Sequence, residues 1–211
     1  MILSLLFAQP MVFIAWIVAI LIALSVHEFS HALAGHLLHD DTAKDQGRLT
    51  LNPLAHVDMF GFLMLLLVGF GWGKPVPVNP YNLKYRKWGE TLVALAGPLA
   101  NLLMVVVFGL ILKFAAASQI FSPDNLLIQL LNLLVVINVV LLLFNIIPIP
   151  PLDGSKFLLT ALPARFNQLK IWLLTRGPFL LLALIILDNF FGVRIFSRFF
   201  YNVINLVYGL F

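Results

Sequence analysis

The chain has 211 residues, 62% of them hydrophobic and only 10% charged, with a formal net charge of +4 and no cysteine. This composition excludes a soluble domain folded around a buried core and describes one integral membrane domain over residues 1–211. The basic residues lie in a few loops between apolar segments, which argues for topology and against nucleic-acid binding, and a chain without cysteine has neither a disulfide framework nor a thiolate metal site.

Residues 1–10 carry no Lys or Arg, and apolar sequence continues to about His27, longer than the core of a signal peptide; we read this start as a retained span. Apolar runs predict membrane helices over residues 11–38, 89–114, 126–147 and 171–187. The last stretch, 195–211, stays open between a short fifth span and a helix lying in the interface, where Arg194, Arg198, Tyr201 and Tyr208 suit the headgroup level. The expected fold class is therefore an α-helical integral membrane protein with four to five transmembrane helices and a helical tail over residues 190–211.

An insert over residues 47–87 breaks this pattern. Its apolar part, 59–70, is about a dozen residues long, short of the roughly 20 that cross a bilayer, so it is expected to enter and return. Gly47-Arg48-Leu49-Thr50-Leu51 alternates and Lys74-Pro75-Val76-Pro77-Val78-Asn79-Pro80 is proline-broken, which predicts short edge strands in a membrane re-entrant, β-prone element. Non-helical backbone at membrane depth is tolerated only beside protein or a wet cavity, which places this element against the active site. If the insert returns, Lys44, Arg48, Lys74, Lys84, Arg86 and Lys87 share a side with Lys156, Arg165, Lys170 and Arg176, and the positive-inside rule makes that side cytoplasmic.

The chemistry is concentrated in His27-Glu28-Phe29-Ser30-His31, inside the first apolar run. Residues four apart share a helix face, so His27 and His31 can bind one metal while Glu28 reaches a water in the open position and takes its proton. Ionisable groups inside a membrane segment are costly and usually functional, which weighs against a polar cluster that merely joins helices. A catalytic site needs a third ligand. Asp153, in Pro148-Ile149-Pro150-Pro151-Leu152-Asp153-Gly154, is the best candidate because three prolines break the helix and let a carboxylate turn inward; the competing role is a cap on the helix that starts near Gly154. His36, His39 and His56 are weaker candidates, read as surface or supporting groups. Asn145 is read either as an interhelical hydrogen-bond partner or as the group that holds a substrate carbonyl or oxyanion, and Asn101 as the weaker candidate of the same kind. A membrane transporter of metal or protons is the rival function, opposed by the general-base spacing of Glu28 and by the lack of repeated halves.

These motifs resemble the site-2 proteases, zinc intramembrane metalloproteases. The resemblance rests on His27 to His31, on Ala96-Gly97-Pro98-Leu99-Ala100-Asn101, on Asn145-Ile146-Ile147-Pro148 through Asp153-Gly154, and on Leu51-Asn52-Pro53-Leu54-Ala55-His56-Val57-Asp58, which together cover most of residues 20–160. It implies one Zn2+ held by His27, His31 and Asp153, Glu28 as general base, and Asn145 at the active site. It also implies that transmembrane segments of other proteins are the substrates, with the lipid bilayer as surroundings, and that the insert holds the substrate as an added strand. Pro75 and Pro77 lack donors, so Val76 and Val78 are the positions expected to pair with an unwound substrate. Met59 stands where many relatives have proline, and neither a PDZ-like insert nor a CBS domain is expected.

Overall fold

The computed structural model describes residues 2–122, 124–190 and 194–211. Two helices open the chain, α1 (Ile2–Ala8) and the 28-residue α2 (Pro10–Leu37), whose first position is a proline that needs no amide donor there. A short α3 (Thr42–Asp45) and a ten-residue α4 (Met59–Val68) belong to the insert. The long α5 (Gly89–Ala117) and α6 (Leu126–Ile146) follow, then a short α7 (Gly154–Ala161), α8 (Asn167–Phe190) and α9 (Ile195–Tyr208).

Four segments, Pro10–Leu37, Gly89–Ala117, Leu126–Ile146 and Ala164–Asp188, are long and apolar enough to cross a membrane, so the chain is an α-helical membrane protein. Helices α2, α5 and α6 pack on one another and form the body of the molecule. The exposed face of α5 is lined by Leu99, Leu103, Val107 and Phe114, as expected for a helix whose surroundings are themselves apolar. Helix α9 has 14 residues, a length of about 21 Å against a hydrocarbon core of about 30 Å, so it is too short for a fifth span. It packs Val203, Ile204 and Val207, with Phe211 beyond its end, against Val105 of α5 and Val135 and Val139 of α6. Residues 191–193 of the expected tail lie outside the described residues.

The insert turns back on itself but is not a sheet. Asp58 caps α4 by accepting from the Gly61 amide at 2.8 Å, and Gly69, at φ +82°, ends it in a left-handed conformation. The returning chain then meets the entering one: Val57 and Gly73 form an antiparallel bridge, and the Lys74 amide donates to the His56 carbonyl at 2.8 Å. Among the described residues no strand forms, so the edge strands expected at 47–51 and 74–80 are replaced by this single bridge. The reason lies in the donors and acceptors. Proline removes the amides of residues 75, 77 and 80, and the buried Arg48 guanidinium, not a neighbouring strand, takes the carbonyls of Lys74 and Pro75.

Asp40, just past α2, ties the insert to the bundle. Its carboxylate accepts from the Asn79 amide at 2.7 Å, the Asn82 side chain at 3.1 Å and the Thr42 hydroxyl at 2.5 Å. Burial pushes this carboxyl up, but the bonds from Thr42, Asn79 and Asn82 outweigh it and hold the group below its usual range.

Candidate metal centre and active site

One turn of α2 separates His27 from His31, so both imidazoles leave the same face, with their rings edge-on at 4.6 Å between centroids. Their Nε2 atoms are 3.0 Å apart. Asp153 reaches them from the proline-broken link between α6 and α7, its Oδ2 3.3 Å from His27 Nε2 and 3.2 Å from His31 Nε2. The side chain of Asp153 makes no capping bond to α7, and its backbone is already helical, so the capping role is not the one it plays. Helix α7 is pinned to the start of α5, with Lys156 paired to Glu90 at 2.7 Å and the Thr91 hydroxyl 2.9 Å from that of Thr160. Those contacts fix the direction from which Asp153 approaches.

Behind the imidazoles, the hydrogen bonds decide which nitrogen carries the proton. Asn138 donates to the Leu134 carbonyl at 2.7 Å, so its Oδ1 faces Asn101 and accepts from Asn101 Nδ2 at 2.8 Å. Asn101 must then present Oδ1 to His27, which donates through Nδ1 at 2.6 Å. His31 donates through its own Nδ1 to the Val93 carbonyl at 2.8 Å, a group that can only accept. In its neutral form each ring keeps a bare lone pair on Nε2. Two such lone pairs and a carboxylate oxygen therefore converge within 3.3 Å, and the buried Asp153 Oδ2 has no hydrogen-bond partner of its own.

Three converging lone pairs repel unless a cation lies among them. Ligands held about 2.0–2.1 Å from a tetrahedral zinc stand roughly 3.3 Å apart, and two imidazoles with one carboxylate is a catalytic zinc donor set. Helix α5 leaves the space clear: a Cβ on Gly97 would stand 2.5 Å from His31 Nε2 and 2.6 Å from His27 Cε1. Among the described residues this trio forms the only group of three or more metal-capable side chains.

Over 150 residues the chain is 38% identical to "Putative zinc metalloprotease YwhC" of Bacillus subtilis, an alignment that covers 70% of this chain and 68% of that protein. The chain belongs to this zinc metalloprotease family. It is also 33% identical over 151 residues to "Putative zinc metalloprotease Rip2" of Mycolicibacterium smegmatis, and 34% over 100 residues to "Putative zinc metalloprotease MJ0611" of Methanocaldococcus jannaschii. The first of these alignments covers 68% of this chain and 55% of Rip2, the second 47% of this chain and 49% of MJ0611, so the chain spans about half the length of each. No family model matches the chain, and no solved structure does.

In this zinc metalloprotease the structure brings His27, His31 and Asp153 together, with Glu28 buried on the same turn of α2. Asn101 is fully buried, and its amide bonds His27 and Asn138. Asn145 is half-buried and donates to the Leu141 carbonyl of its own helix at 3.0 Å. Val76 and Val78 lie in the returning limb of the insert, outside the metal cluster. His36 pairs with Asp41, His39 is exposed, and His56 is fully buried, its Nε2 bound to the Thr50 carbonyl at 2.7 Å. Sequence reasoning missed Asn138, although a lone amide in the run Val135-Val136-Ile137-Asn138-Val139 is itself a signal that something polar faces it.

Proposed function

We propose that the chain is a zinc-dependent intramembrane endopeptidase of the site-2 protease family, hydrolysing peptide bonds within or next to transmembrane segments of other membrane proteins. The observation that carries this reading is the triangle of His27 Nε2, His31 Nε2 and Asp153 Oδ2, with a buried Glu28 beside it, on a 28-residue apolar helix packed against two other spans. Metal transport is disfavoured, because a transport path has no use for a carboxylate placed at general-base spacing from a three-ligand set.

Bound by His27, His31 and Asp153, one zinc ion per chain would supply Lewis acidity that brings a water's pKa toward neutrality. Glu28 takes the proton of the attacking water and passes it to the departing amine. Asn101 and Val93 keep both imidazoles in the tautomer that leaves Nε2 bare. Asn145 steadies the substrate carbonyl as it becomes an oxyanion. A helical substrate hides its carbonyls, so it must unwind locally, and its freed groups re-pair with the backbone of Val76 and Val78 as an added strand. The ligand set opens toward the cytoplasmic side of the cell membrane, on the charge bias of the loops.

The test is to reconstitute the protein in liposomes with a single-span substrate and to map the cut by mass spectrometry. A scissile bond within or beside the membrane-embedded stretch is expected; cutting confined to distant soluble loops would refute the intramembrane reading. In the same liposomes, single cysteines replacing Lys44 and Lys84 should be labelled from one side by an impermeant reagent, and labelling from opposite sides would refute the re-entrant topology.

A further inference from the structure

Outside the metal centre, Arg48 at 5% exposure and Asp40 at 1% are among the ionisable residues almost excluded from solvent. Neither is in a salt bridge among the described residues. Burying a charge without a counter-charge in contact is expensive, and it is tolerated where hydrogen bonds replace the lost water. Beside Thr42 at Asp40 and His56 at Arg48, both residues place those bonds within residues 74–82. Arg48 Nη1 donates to the Pro75 carbonyl at 3.2 Å, and Nη2 donates to the Lys74 carbonyl and to His56 Nδ1 at 3.4 Å. At the other end, Asp40 accepts from the Asn79 amide and the Asn82 side chain.

Between these anchors the backbone has no partner. Among the described residues neither the amide nor the carbonyl of Val76 or Val78 is hydrogen-bonded, and both residues are half-buried. The anchors hold the carbonyls of Lys74 and Pro75 and the amide of Asn79, and Pro75 and Pro77 have no amide donors. Val76 and Val78, between the anchored residues, leave two donors and two acceptors unused.

We propose that Arg48 and Asp40 are positioning residues that hold residues 74–79 in a ready-ordered shape, leaving the Val76–Val78 edge open for an unwound stretch of substrate backbone. This rests on the strand-addition reading under Proposed function. Ordering the receiving edge in advance removes its conformational cost from the binding step, so losing an anchor weakens substrate capture more than chemistry.

The experiment uses the full-length, zinc-loaded protein with a membrane substrate, comparing wild type with Arg48→Met, Arg48→Lys, Asp40→Asn and Val76→Pro. It records zinc content, amide exchange of the 74–79 segment, and KM and kcat separately. Arg48→Met is expected to keep its zinc, to exchange faster at Val76 and Val78, and to raise KM about tenfold with kcat changed less than threefold. Arg48→Lys, which keeps a donor but not the fork, should recover part of the loss, and Asp40→Asn should move KM in the same direction. Should Arg48→Met fail to fold, Asp40→Asn and Arg48→Lys decide. Unchanged exchange and unchanged KM in the folded anchor variants, with Val76→Pro impaired, would overturn the inference and leave strand addition standing. A Val76→Pro variant as active as wild type would overturn strand addition itself.

Discussion

Gly97→Ala is expected to yield a folded protein that holds almost no zinc. The added Cβ would stand 2.5 Å from His31 Nε2 and 2.6 Å from Cε1 atoms of both ligand imidazoles, closer than any relaxed contact allows. The rings cannot swing away cheaply. Each is tied through Nδ1, one to Asn101 and the other to Val93, and in an apolar interior a broken bond leaves a polar group unsatisfied at a cost of several kcal/mol. The helix itself tolerates the change, since alanine is favoured over glycine there by roughly 0.5–1 kcal/mol. Zinc per chain, read by elemental analysis beside circular dichroism, should fall from about one to below a tenth with helicity intact. Normal zinc content in Gly97→Ala would mean that α5 does not pass over the ligands as described.

Asp153→Ala should have two opposite effects. Zinc affinity should drop by more than the roughly 10–100-fold that loss of a group behind a ligand causes, because a donor in contact with the metal is gone. In the metal-free protein, however, the same change removes an unpartnered buried carboxylate oxygen that faces two bare nitrogens. Thermal unfolding with excess zinc should therefore show the wild type more stable, and unfolding in a chelator should show Asp153→Ala at least as stable as wild type. A variant that is destabilised equally in both conditions would mark Asp153 as a structural residue and return it to the capping role.

The parts of this site that follow from local periodicity were legible in the chain. Placing His27, Glu28 and His31 on one turn needs only 3.6 residues per turn, and the four spans follow from apolar length. Asp153 was ambiguous because a carboxylate before a helix can cap it or point elsewhere, and only the packing of α7 on Glu90 and Thr91 decides which. Asn138 acts through Asn101 on His27, a chain of contacts across three helices that no window of sequence contains. The insert was half legible. Its apolar part falls short of the length of a span, but the alternation at 47–51 suggested a strand where Arg48 is in fact turned inward to hold the opposite limb, spending the carbonyls that a strand would have paired. Arg48 was counted among the loop cations, and its near-complete burial depends on where the chain returns, 26 residues later.

The central claim, that the His-His-Asp centre with Glu28 hydrolyses peptide bonds, is tested most directly by Glu28→Gln, with metal content and cleavage of a membrane substrate measured on one preparation. The amide cannot take a proton from water, while the ligands are untouched. The account predicts zinc at the wild-type level and cleavage reduced by a factor of about 100–10,000, the usual contribution of a general base. Zinc retained with cleavage near the wild-type rate would contradict it.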